Sequence, residues 1–173
     1  MDKIAKAILK EVLPAEKDIA PPAVAQAGRK KPALHLDHWT SAILLERAAY
    51  LHKLARQGDG SAGETLKEYP RHCAMLSFRG RDGEAEAHEN FADVFYVLEG
   101  RATMVTGGRV AGARLIKQGE TRGDSIECGI EGGAQQDLRA GDVAHVPAGL
   151  PHQMLVAGEQ TVTCLVMKVE ENP

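Results

Sequence analysis

The stretch Gly141-Asp-Val-Ala-His-Val-Pro-Ala-Gly-Leu-Pro-His152 decides how the fold of this chain is interpreted. It predicts a strand, a tight turn at its Pro and Gly residues, and a second strand that begins on a histidine. The predicted hairpin therefore carries His152 at the point where the chain leaves the turn.

A second stretch, His88-Glu-Asn90-Phe-Ala-Asp93, lies upstream and is followed by an apolar run and Gly100. Imidazole nitrogens and carboxylate oxygens are common protein ligands of divalent transition metals. Separate hairpins of a small β-barrel can bring these two histidines and one carboxylate towards one point. The two stretches together therefore predict a metal site.

The spacing of apolar residues changes from helical to strand-like near residue 70. Short strands separated by turns are then predicted along the rest of the chain. They cover 72–79, 93–98, 101–106, 109–116, 142–146, 152–157 and 161–169. The glycine-rich segment 118–136 is predicted to be a loop, or a loop that holds a short strand near 125–128. Short strands with no helix between them predict an all-β sandwich or barrel.

Two helical patterns precede the strands. In the first, Ile4, Ile8 and Val12 share one helical face, and Pro14 ends the pattern. A Pro- and Ala-rich stretch over 14–37 is predicted to be an irregular arm.

The second helix is predicted from Thr40 to Gln57, because apolar residues recur there with helical spacing and Gly58 follows. The predicted organisation is an N-terminal helical and irregular extension over 1–66, followed by a barrel over 67–173.

Composition excludes several classes of protein. The net charge is only −3 and no basic patch stands out, so nucleic acid is not an expected partner. The sequence contains no run of about 18 apolar residues, so no membrane span is predicted. The three cysteines, Cys73, Cys128 and Cys164, are odd in number and far apart, which favours reduced thiols and a cytoplasmic location.

The C-terminal hairpin resembles the second conserved motif of the cupin superfamily, G-x5-P-x-G-x2-H-x3-N. Gly141, Pro147, Gly149 and His152 match this motif in register, and Val156 stands in place of its asparagine. The upstream stretch resembles the first cupin motif, G-x5-H-x-H-x3,4-E-x6-G.

In the first motif, His88 is placed at the first histidine, Asn90 at the second and Asp93 at the glutamate, with Gly100 closing the pattern. The gap between Asn90 and Asp93 is then one residue short, and Gly83 stands one residue too close to His88. The resemblance implies a double-stranded β-helix, which is a jelly-roll barrel, often dimeric, with one divalent metal in its mouth.

Strand geometry bears on the proposed ligands His88, Asn90, Asp93 and His152. Residues i and i+2 of a strand share a face, so His88 and Asn90 can point the same way. Asp93 needs a bulge or a turn to rejoin that face. The set suits Fe(II), and Zn, Mn or Ni would also fit. Asn90 is the weakest donor, and it could instead support a ligand side chain or bind a substrate.

Two functions are consistent with these sequence features. The first is a metal-dependent enzyme that acts on a small organic molecule, with oxygenase or related oxidoreductase chemistry favoured and isomerase or lyase chemistry also open. The alternative is a non-catalytic ligand-binding or sensory cupin with a weakened metal site. A homodimer is expected, because small jelly rolls leave sheet edges and faces exposed.

Overall fold

The computed structural model describes residues 35–117, 119–123, 125 and 128–171. The first predicted helix and nearly all of the predicted arm lie outside the described residues. The described chain contains helix α1 (Ser41–Gln57) and the following strands. They are β1 (Ser61–Glu68), β2 (His72–Arg79), β3 (Glu86–His88), β4 (Phe91–Thr106), β5 (Arg109–Val110), β6 (Arg114–Lys117), β7 (Glu120–Arg122), β8 (Ile130–Glu131), β9 (Ala134–Arg139), β10 (Val143–Val146), β11 (His152–Leu155) and β12 (Val162–Glu170).

Helix α1 confirms the second predicted helix. It begins after Thr40, whose hydroxyl accepts a hydrogen bond of 3.2 Å from the backbone N–H of Ile43. It ends at Gly58, whose N–H donates to the carbonyls of Leu54 and Ala55. In the described part of the chain, no helix has the length and apolar composition needed to cross a membrane.

The strands form one curled ten-stranded sheet and a separate two-stranded ribbon of β5 and β8. The main order is β1-β2-β12-β4-β11-β3-β7-β6, with β9 and β10 also paired to β4. Every pairing is antiparallel. The predicted all-β jelly-roll fold with a helix on its N-terminal side is confirmed.

Strand β4 runs through Gly100 without ending, so the turn predicted at 99–100 is wrong. Gly100 has φ of +79°, and a Cβ there would lie 1.9 Å from the carbonyl oxygen of Thr161. Glycine lets the strand bend at this close approach without breaking it. Before the bend β4 pairs with β10 and β12, and after it β4 pairs with β9 and β11.

Several strands were not predicted. Strand β1 lies mostly within the predicted helical and irregular extension, and the predicted domain boundary between residues 66 and 67 falls inside it. That domain division stays a prediction. Strands β7, β8 and β9 lie within the glycine-rich segment or just after it, because positive-φ glycines at 119 and 132 turn the chain between very short strands. Gly112, with φ of +57°, also splits the strand predicted over 109–116 into β5 and β6.

Two apolar clusters hold the fold together. The inner cluster joins β4, β9, β11 and β12, and its buried members are Val97, Ala102, Met104, Leu138, Met154, Val156, Val162, Cys164 and Val166. The outer cluster packs α1 against β1 and β2, and it consists of Leu44, Ala48, Leu51, Ala55, Leu66, Ala74, Leu76 and Phe78. A nearly buried ion pair between Arg47 of α1 and Glu64 of β1 accompanies the outer cluster.

Replacing Gly100 with alanine should destabilise the fold far more than replacing Gly107. Both glycines have a similar positive φ, of +79° and +77°, but no atom lies within 4 Å of a Cβ added at Gly107. We expect Gly107→Ala to cost about 1–2 kcal/mol from backbone strain alone. Gly100→Ala should cost several kcal/mol more, measured by urea unfolding. Equal costs in the two variants would contradict the proposed bend.

Candidate metal centre

Cross-strand pairs place the functional side chains. His152 at the start of β11 lies opposite Glu86 of β3, and Asp93 of β4 lies opposite Lys168 of β12. His88 ends β3 two residues after Glu86, on the same face of the strand. The antiparallel register of these strands therefore gathers two histidines, two carboxylates and one lysine.

The Pro-x-Gly turn joins the two motif segments directly. The backbone N–H of Gly149, which has φ of +81°, donates a hydrogen bond of 2.7 Å to the carbonyl of His88. The carbonyl of Leu150, in the same turn, lies 3.2 Å from Nδ1 of His152. A carbonyl can only accept, so Nδ1 carries a proton and the ring presents Nε2 to the site.

One potential ligand atom from each of Glu86, His88, Asp93 and His152 lies within 4.8 Å of the other three. Oδ2 of Asp93 is 3.4 Å from Nε2 of His88 and 3.4 Å from Nε2 of His152. Carboxylate oxygens of Glu86 lie 3.5 Å from Nε2 of His152 and 3.7 Å from Nε2 of His88. The side chain of Asp93 is 2 % exposed and that of Glu86 is 18 % exposed.

These distances and the state of His152 fit a divalent metal. Ligand bonds of about 2.0–2.1 Å place neighbouring donors of a tetrahedral site roughly 3.3 Å apart, close to the separations seen here. Nε2 of His152 is buried and makes no hydrogen bond of normal geometry to any described residue. A buried ring nitrogen that faces two carboxylates without a hydrogen bond can be compensated by a proton or by a metal ion.

Charge distribution shifts the protonation of the site. Burial lowers the pKa of His152, but the carboxylates of Asp93 and Glu86 outweigh it and raise the pKa from 6.5 to about 9. Burial raises the pKa of the Glu86 and Asp93 carboxyls, but neighbouring groups outweigh this effect and hold both pKa values below their usual range. These groups are His152 and His88 at Glu86, and His152, Lys168 and His88 at Asp93. A metal that binds near neutral pH must therefore displace a proton from His152.

Lys168 belongs to this centre and was not singled out from the sequence. Its Nζ lies 2.7 Å from each carboxylate oxygen of Asp93 and 2.9 Å from Nε2 of His88. Nothing in the local sequence of β12 marks this lysine, because only the pairing of β12 with β4 brings it opposite Asp93. An ammonium group therefore contacts two of the four potential ligands.

Arg122 supports the other carboxylate. It lies opposite Glu86 on β7, with Nη2 at 3.5 Å from a carboxylate oxygen of Glu86. The same guanidinium forms ion pairs with Glu84 at 3.1 Å and with Glu120 at 2.8 Å. This arginine and its partners fix the orientation of Glu86 from outside the ligand group.

The structure brings together three of the four predicted ligands, His88, Asp93 and His152. Asn90 lies outside the regular strand, because β3 ends at His88 and Asn90 stands in the bend before β4. The i, i+2 relation that was applied to His88 and Asn90 holds instead for Glu86 and His88. Glu86, which was not predicted, therefore joins the group in place of Asn90. The ligand assignments themselves stay predictions.

The first cupin motif fits better when it is moved two residues towards the N-terminus. Glu86 then stands at the first histidine position and His88 at the second, with five residues between Gly80 and Glu86. Four residues separate His88 from Asp93, and six separate Asp93 from Gly100. Both irregularities of the earlier alignment disappear, so the spacing was the signal that could have found Glu86.

Glu86 and Asn90 should differ in their effect on metal binding. Glu86→Gln removes a charged donor from the group, so we expect the affinity for Mn²⁺ or Co²⁺ to fall by about tenfold or more. Asn90→Ala should change the affinity less than about twofold. Isothermal titration of protein stripped with a chelator measures both. A larger loss in Asn90→Ala than in Glu86→Gln would show that the first alignment was right.

The metal-stripped protein should lose stability as the pH rises from about 6.5 to about 9. The folded pKa of His152, about 9, exceeds its ordinary value of 6.5. Protonated His152 therefore stabilises the folded state fully below pH 6.5, and this contribution is lost as the pH passes through the folded pKa. We expect a loss on the order of 1–3 kcal/mol, measured by urea unfolding in the presence of a chelator.

His152→Gln is the control for this pH dependence, because glutamine keeps polarity but does not titrate. The difference in stability between wild type and variant should shrink towards high pH. An unchanged difference between about pH 6 and pH 9.5 would show that His152 carries no such linkage.

Comparison with known proteins gives no match to a family model and none to a curated protein. Among solved structures, the protein TT1209 from Thermus thermophilus is similar at 20 % identity over 73 % of this chain and 93 % of its own, with a TM-score of 0.48. The DMSP lyase DddQ from Ruegeria pomeroyi is similar at 17 % identity over 65 % of this chain and 48 % of its own, with a TM-score of 0.46.

A cupin domain from Schizosaccharomyces pombe is similar at 13 % identity over 64 % of this chain and 61 % of its own, with a TM-score of 0.45. None of these likenesses assigns a function to this chain. From its own strand order and from the positions of its two motifs, the chain has the fold of a cupin barrel, which confirms the resemblance seen in the sequence.

Proposed function

We propose that this protein is a single-domain, metal-dependent cupin enzyme that acts on a small organic molecule. One observation carries the proposal: Glu86, His88, Asp93 and His152 converge within 4.8 Å, and Nε2 of His152 is buried there without a hydrogen bond to a described residue. Such convergence of ionisable groups in a barrel interior costs free energy unless a cation or a proton compensates it.

Two imidazoles with two carboxylates are suited to Fe(II), Mn(II), Zn(II) or Ni(II), and the identity of the metal is part of the proposal. With four protein ligands, a divalent metal would keep positions open for a substrate only if it were five- or six-coordinate, and it would then supply a Lewis-acid or redox centre. Because histidine and carboxylate ligands with open positions are typical of Fe(II) oxygenases, we propose oxygenase or other oxidoreductase chemistry as the first candidate reaction class. Isomerase or lyase chemistry is the second candidate reaction class.

Neighbouring groups prepare the site for chemistry. The carbonyl of Leu150 orients the ring of His152, and Arg122 restrains Glu86. The ring of Phe95 meets that of His152 edge-on, with centroids 6.2 Å apart, and packs against the inner apolar cluster. Phe95 therefore keeps water from one side of the ligand group and strengthens electrostatic interactions within it.

A second candidate is a non-catalytic ligand-binding or sensory cupin. The observation that favours it is Lys168, whose ammonium group already neutralises Asp93 and donates to His88. A barrel that compensates its carboxylates internally can persist as a binding pocket without a metal. Metal content separates the two candidates.

We also propose that the protein is a cytoplasmic homodimer. The edge strand β6 is exposed along its whole length, and Leu115 and Ile116 on it are 71 % and 42 % exposed. An exposed apolar edge of this kind needs cover, which a second copy of the chain can provide. The cytoplasmic location rests on the three unpaired cysteines. Sedimentation of the chain as a monomer at micromolar concentration would contradict the dimer.

Elemental analysis of anaerobically purified protein tests the enzyme proposal. Wild type should carry about one metal ion per chain. His152→Ala should lose it, whereas His145→Ala, which removes a half-exposed histidine of β10 that lies outside the ligand group, should keep it. Stoichiometric iron would justify a screen of O₂ uptake with small organic acids, alcohols and carbonyl compounds. Protein that is metal-free as purified and does not bind added Fe, Mn, Ni or Zn would overturn the enzyme proposal. It would favour the non-catalytic ligand-binding or sensory cupin instead.

A further inference from the structure

We propose that Lys168 serves the metal centre in two ways. Its ammonium group takes the cation position when no metal is bound. With the metal present, the displaced ammonium binds an anionic group of the ligand, so that the ligand is a small organic monoanion such as a carboxylate. This inference rests on the proposed metal site and names the chemical class of the molecule that the site accepts.

The first role follows from shared contacts. Nζ of Lys168 lies 2.7 Å from both oxygens of Asp93 and 2.9 Å from Nε2 of His88, which are atoms that a metal would also contact. Two cations on the same donors within a few ångströms repel each other strongly in a site of low dielectric. A metal must therefore displace the ammonium group in order to bind.

The displaced ammonium group can move toward solvent. The side chain of Lys168 is 26 % exposed, whereas that of its partner Asp93 is 2 % exposed. Lysine thus reaches the carboxylate from the more open side of the site, on a flexible four-carbon stem. After displacement, Nζ remains tethered beside the ligand group and faces any molecule that approaches from that side.

Charge balance identifies the ligand class. Glu86 and Asp93 together neutralise a divalent metal, which leaves the ammonium of Lys168 uncompensated. The nearby Arg122 adds no uncompensated positive charge, because it is paired with Glu84 and Glu120. An excess positive charge beside the metal is costly where a bound ligand excludes water, and one negative charge on the ligand removes the cost. A neutral ligand would leave the charge in place.

Metal affinity tests the first role. Lys168→Met should bind Co²⁺ at least about tenfold more tightly than wild type, because no ammonium group has to be displaced. Lys67→Met is the matched control, since the Lys67 side chain is also 26 % exposed and pairs with Asp37, outside the ligand group. It should bind Co²⁺ as wild type does. Lys168→Gln, which lacks the charge but still donates hydrogen bonds, replaces Lys168→Met if that variant does not fold.

The outcomes separate this inference from the proposed function. Wild type that binds Co²⁺ no more weakly than Lys168→Met overturns the first role and leaves the metal site standing. Binding by Lys168→Met but not by wild type supports the first role and refutes the proposal that the natural chain is metal-dependent. Failure of both proteins to bind Co²⁺ overturns both proposals.

Anion binding tests the second role. Acetate is titrated into Co²⁺-loaded protein and followed by the visible absorption of the cobalt, with neutral acetamide as the comparison ligand. Wild type and Lys67→Met should bind acetate about tenfold more tightly than Lys168→Met, because only they offer an ammonium partner. Acetamide should bind all three proteins equally weakly. Equal affinity for acetate with and without Lys168 overturns the second role.

Discussion

Backbone pairing along β4 is the constraint on which the rest of the molecule depends. Asp93 and Thr106 would be roughly 40 Å apart on a straight strand. Yet His152 pairs with Thr106 while its ring nitrogen lies 3.4 Å from Asp93. The strand can satisfy both contacts only by curling around the barrel, and Gly100 permits the bend. The same bend that closes the fold therefore brings the potential ligands together.

Two carboxylates buried at one point impose the second constraint. In the metal-free chain, the positive charges of Lys168 and of protonated His152 compensate Asp93 and Glu86. A divalent metal would replace both positive charges at once, releasing a proton from one group and a lysine side chain from the other. Metal binding, protonation and the position of Lys168 are thus parts of one electrostatic balance, and a change in any of them alters the others.

The C-terminal hairpin was predicted well because its geometry is local. Pro147 and Gly149 limit the backbone of the turn, and His152 follows within three residues. The first motif was harder to place, because residues 86, 88 and 90 all have the same strand parity. In the shifted alignment, a glutamate stands where the cupin motif has its first histidine, so the sequence motif did not point to Glu86. Strand parity alone cannot distinguish a motif that starts at Glu86 from one that starts at His88. The observed end of β3 at His88 favours the first, because it leaves Asn90 outside the strand.

Sequence patterns were sufficient to predict the all-β class, helix α1, the Pro-x-Gly hairpin and three members of the group of potential ligands, His88, Asp93 and His152. These features depend on residue periodicity, turn chemistry and motif spacing, which act over short stretches of chain. The unbroken path of β4 and the presence of Glu86 and Lys168 at the centre became visible only in the folded barrel. Both residues reach the site through pairing with strands distant in sequence, since Glu86 meets His152 and Lys168 meets Asp93. Such pairings are set by the closure of the whole barrel, so no local pattern records them.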